Sequence, residues 1–65
     1  MLSDKELWAC AAWVEQHHGD RAPHFITERL MTLARDGDEG GVLAWKGISD
    51  RYDQLQARHR GPLPI

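Results

Sequence analysis

A small three-helix bundle, all-α, is the fold that the sequence predicts. Apolar residues recur at three- and four-residue spacing in three segments, and each segment is bounded by helix start and stop signals. No stretch alternates apolar and polar residues with the β-branched enrichment of a strand. The connections are short enough to set neighbouring helices antiparallel, which gives an up-down-up arrangement.

The first helix is expected over about 4–18. Ser3 is placed to cap it, with Glu6 three residues on completing a capping box, and Asp4 and Glu6 suit the positive helix end. Leu7, Cys10, Ala11, Val14 and His18 then share one face, and Gly19 follows as a left-handed stop. The second helix is expected over about 22–35: Pro23 belongs in a first turn, with Asp20 or Ala22 at the cap, and Asp36-Gly37 closes it. Ile26, Leu30 and Leu33 form its stripe. Asp38 caps a third helix over about 39–60, whose Trp45, Ile48, Tyr52 and Leu55 keep helical spacing until Gly61-Pro62. Gly40 and Gly41 leave a later start at Val42 as the alternative. The core is expected to join this last stripe to Leu7, Val14, Ile26, Leu30 and Leu33.

Sixty-five residues allow one core and one domain, taken as 1–61 with an extended tail at 62–65 where two prolines forbid helix. A lone Cys10 excludes an internal disulfide and fits a reducing compartment, and no basic region followed by an apolar run and a cleavage site opens the chain. A cytoplasmic location is therefore expected. The apolar run from Leu7 to Val14 is far shorter than the roughly 20 residues needed to cross a bilayer. Eight Lys and Arg against ten Asp and Glu give a net charge of −2, without the basic excess that neutralises phosphates.

Four histidines and one cysteine raise the question of a metal. His17 and His18 are adjacent, so their side chains diverge by about 100° on a helix, and Cys10 lies two turns from His17. No metal site is expected from that spacing. Asp36-Gly-Asp38-Glu-Gly-Gly41 begins like a calcium loop, but Gly40 and Gly47 stand where two of its ligands would be. No nucleophile sits in a pattern with a base, Cys10 lies within an apolar helix as a small buried thiol, and no glycine-rich phosphate loop occurs. No catalytic residue, cofactor or small-molecule substrate is expected, and the chain reads as no enzyme. The most basic stretch is the end of the third helix, where Arg51, Arg58 and Arg60, with His59, are the candidates for contact with nucleic acid. Asp50 and Asp53 are interleaved among them, and cations suit any helix C-terminus.

Leu7-Trp8-Ala9, His18-Gly19, Phe25-Ile26, Gly37-Asp38-x-x-Gly41-Val42 and Trp45-Lys46-x-Ile48, taken together over residues 6–55, resemble a family of short bacterial proteins of uncharacterised function. The resemblance implies a small helical protein and carries across no activity or catalytic residue.

The leading functional expectation is a non-enzymatic protein-interaction or regulatory module that binds another protein or itself. Trp8 and Trp13 lie on opposite shoulders of the first helix, and Met31 and Leu43 fall off the stripes of theirs; these four are the candidate protein-binding residues. A phage-encoded inhibitor of a host defence system, such as an anti-CRISPR protein, and a weak nucleic-acid binder using the basic end of the third helix are the alternatives. Because a ligand that binds only the native state must raise its melting temperature, stoichiometric zinc or calcium should leave the melting curve unchanged. A rise of several degrees by calorimetry would show that the histidines or acids do converge on a metal.

Overall fold

The computed structural model describes residues 2–59, His59 by its backbone alone. Its elements are α1 (Asp4–His18), a 3₁₀ turn (Gly19–Arg21), α2 (Ala22–Arg35) and α3 (Glu39–His59), with no strand among the described residues. The all-α expectation holds. The separation into three distinct helices needs correction: a 3₁₀ turn joins α1 directly to α2 with a pivot at Gly19, so helix and turn run on from 4 to 35, and helix resumes over 39–59. The expected last helical residue, Arg60, and the expected tail at 62–65 lie outside the described residues.

Local chemistry sets most of these boundaries. Ser3 and Glu6 form the reciprocal box at the start of α1: the Glu6 N–H donates to Ser3 Oγ at 3.2 Å and the Ser3 N–H donates to Glu6 Oε1 at 3.0 Å. The Ser3 backbone and hydroxyl hold the Glu6 carboxyl below its usual range. Its share of helix stability is therefore complete above that usual range and is lost as the pH falls through the lowered value. Gly19 takes φ 51° at the end of α1, a conformation that costs a side chain-bearing residue more than glycine. The cap expected of Asp20 or Ala22 is not formed. Arg21 occupies the cap position without a side-chain bond, since the tight 3₁₀ turn already gives the Ala22 N–H the carbonyl of Gly19.

Asp38 caps α3, its Oδ1 accepting from the Gly41 N–H at 2.9 Å. Of the two starts considered, α3 takes the earlier, at Glu39. Glycine at 41 serves close approach rather than termination: a Cβ there would stand 2.8 Å from Asp38 Oδ2 and 2.9 Å from Leu33 Cδ2. Leu33 against Gly41 and Phe25 against Trp45 show α2 and α3 running antiparallel, while Leu7 beside Gly47 and Glu15 bonded to Gln56 show α1 running parallel to α3.

Six side chains form the buried core: Ala11, Val14, Ala22, Ile26, Ile48 and Tyr52. Leu7, Leu30, Trp45 and Leu55, expected at its centre, are only partly buried and pack against its margin, and Leu33 is likewise half-buried. The reason is volume. Alanine at 11 and 22 lets the helices approach closely, and the space left admits Val, Ile and one phenol ring. Ile48→Ala should accordingly cost about 3 kcal/mol of stability. Trp45→Ala should cost less, because part of its indole is already in water. Denaturant unfolding of the two variants checks this, and a larger loss at Trp45 would place the aromatic ring, not Ile48, at the centre.

Candidate interaction surface

Helix phase decides which apolar side chains reach solvent. Trp13, Met31 and Leu43 are 50 %, 57 % and 61 % exposed, the last two at positions off the apolar stripes of their helices. They do not share one depression. Met31 lies in a hollow formed by α2 alone, beside His24, Thr27, Glu28, Thr32 and Arg35. Leu43 borders one hollow with Ala34 and Val42 and another with Leu2, Leu7, Gly40 and Ala44. Trp13 edges a fourth, of about 340 Å³, whose other walls are Cys10, Val14, Phe25, Arg29 and Trp45.

The hollow at Trp13 draws on all three helices and is framed by aromatic contacts. His17 stacks on Trp13 with centroids 4.3 Å apart, positioned by its Nδ1, which donates to the Trp13 carbonyl one turn back at 2.9 Å. His18 meets the Trp13 ring edge-on at 5.8 Å and stacks on Phe25 at 3.9 Å, tying the end of α1 to the start of α2 across the 3₁₀ turn. Phe25 in turn meets Trp45 edge-on at 5.7 Å, and the Arg29 guanidinium lies 5.6 Å from the Trp45 ring centre. Five aromatic rings are thus in sequential contact from α1 to α3. Residue spacing alone gave no signal for this row, since it depends on the tight turn that brings His18 onto Phe25.

Trp8 has the opposite fate. It is half-buried, with the guanidinium groups of Arg51 and Arg58 at 5.8 and 5.1 Å from its ring centre. Arg51 donates from Nε to Asp4 Oδ1 at 3.0 Å and from another guanidinium nitrogen to the same oxygen, and it also donates to Asp50 at 2.9 Å. The hydrogen bond to Asp4 is the main reason its pKa is raised. Two of the three arginines considered for nucleic acid therefore cover a tryptophan, one of them neutralised by two carboxylates, and Arg60 lies outside the described residues.

Cys10, expected as a buried thiol, is only half-buried, because the hollow at Trp13 opens beside it. Among the described residues, no three His, Cys, Asp or Glu side chains come together at metal-binding range. A larger depression of about 680 Å³ lies where the 3₁₀ turn meets α3, lined by Glu15, Asp20, Pro23, Tyr52, Asp53 and Gln56 among others. Glu15 there accepts a hydrogen bond from Gln56 at 2.6 Å. No helix among the described residues is long and apolar enough to cross a membrane.

These features define a small all-α protein with an aromatic hollow open on its surface. The chain belongs to a family of unknown function, DUF6961, which matches residues 3–60. No match was found among the curated proteins or among the solved structures. For the Trp8 side, Arg51→Ala should lower the melting temperature, whereas Arg35→Ala, on the exposed face of α2, should not. Equal melting of the two variants would show that the contacts from Asp4 through Arg51 to Trp8 hold nothing.

Proposed function

We propose that this three-helix bundle is a non-enzymatic, cytoplasmic protein-interaction module, binding another protein or a second copy of itself through the hollow at Trp13. The observation that carries this reading is a half-exposed tryptophan beside Trp45 and Phe25, on a chain too small to bury its aromatic rings. Tryptophan dominates binding energy where it is seated among apolar neighbours and shielded from water by a partner. The walls of the hollow are aromatic, aliphatic and thiol surface with one guanidinium, which suits the capture of an apolar side chain. Trp8 plays a different part: with two arginines over its ring it braces α1 against α3. Met31 and Leu43 supply secondary apolar contacts on other faces.

Affinity capture from the native host, paired with sedimentation of the purified protein, tests the proposal. Trp13→Glu should fold, since the side chain is half in solvent, and should lose the captured partner or the dimer. Met31→Glu and Leu43→Glu should weaken binding less. The proposal fails if all three variants fold, keep the parent's oligomeric state and retain every captured protein.

A further inference from the structure

We infer that the hollow at Trp13 receives an acidic segment of a partner protein, one apolar side chain entering between Trp13 and Trp45 and a neighbouring carboxylate meeting Arg29. This rests on the interaction reading above and adds the chemistry of the partner. Charge is the argument. The chain carries more acids than bases, and the hollows at the 3₁₀ turn, at the start of α3 and along α2 all include a carboxylate in their walls. The hollow at Trp13 has none, and its one charged wall is cationic.

Arg29 and Arg58 both lie near an aromatic ring without a carboxylate partner among the described residues, and of the two Arg29 lines the hollow at Trp13. Arg51 lies over Trp8 and is neutralised by Asp4 and Asp50, whereas Arg29 lies over Trp45 and pairs with no carboxylate among the described residues. On its own helix, Glu28 is taken by His24 at 3.1 Å, and on α1 Glu6 is engaged in the capping box with Ser3. The guanidinium therefore lies over an indole, 5.6 Å from its centre, and pairs with no described acid, and its planar donor set matches a carboxylate in two-point geometry. His17 and His18 contact the Trp13 ring, and no acid is among the residues that line the hollow beside it. An apolar anchor gains by covering exposed indole, and a carboxylate beside it gains by pairing with Arg29, so an acidic amphipathic segment satisfies both at once.

Selection of a displayed library of random twelve-residue peptides on the full-length protein tests this. The enriched peptides should carry an aromatic residue or leucine within a few positions of Asp or Glu. A synthetic copy of the leading peptide should bind more weakly as salt rises, since partly exposed charge pairs are screened. Arg29→Glu should weaken that peptide roughly tenfold or more, given the strength of hydrogen bonds to charged groups, while leaving the far-UV spectrum and melting unchanged. Replacing the peptide's acid by Lys should recover binding to Arg29→Glu. Enrichment of neutral or basic peptides that still need Trp13 would overturn the acidic partner while leaving the interaction module standing. Recovery of no peptide, or binding indifferent to both Trp13→Glu and Arg29→Glu, would overturn the hollow as a docking site.

Discussion

Close approach of α1, α2 and α3 around very small side chains is the constraint on which this molecule depends. Ala11 and Ala22 are wholly buried, Gly41 has no room for a Cβ beside Asp38 and Leu33, and a Cβ on Gly47 would lie 3.1 Å from Leu7. Without a disulfide to constrain the unfolded chain, 65 residues must draw their stability from this packing. A tight centre leaves little volume. Val14, Ile26, Ile48 and Tyr52 fill it, and the three tryptophans are left at its edges.

What happens to an indole at the edge depends on which cations stand near it. On one flank of α1, Arg51 and Arg58 close over Trp8, and Asp4 and Asp50 hold Arg51 in place. That cluster links the first turn of α1 to the middle of α3. On the other flank, Trp13 is stacked by His17, met edge-on by His18, and left half exposed at a hollow that Trp45 helps to line. Two tryptophans five residues apart on one helix thus divide between bracing and availability. The difference lies in their neighbours and not in the residue type.

The 3₁₀ turn has a comparable influence. It leads the backbone from α1 directly into α2, with the Gly19 N–H bonded to the Glu15 carbonyl and the Ala22 N–H to the Gly19 carbonyl, and α2 starts without a side-chain cap. By placing Phe25 under His18, it joins the contacts of α1 to those of α3 in one row of rings. A longer, looser connection would let α2 slide along α3, and the hollow at Trp13 would lose the wall that Phe25 and Arg29 provide.

The helices and most of their ends were legible in the sequence because caps, stops and apolar spacing act within a few residues: Ser3 with Glu6, Gly19, Pro23 and Asp38 each do locally what their chemistry dictates. Exposure of Met31 and Leu43 was legible for the same reason, since each falls off the stripe of its own helix. The fates of Trp8 and Trp13 were not, because helix phase puts both on shoulders and only the packed neighbours decide which shoulder is covered. Spacing along the chain does not tell Arg51 and Arg58 apart from Arg29. Tertiary structure alone gave the first two a tryptophan to cover, and left Arg29 over Trp45 with no described carboxylate beside it, because contacts between helices depend on crossing geometry that no local spacing records.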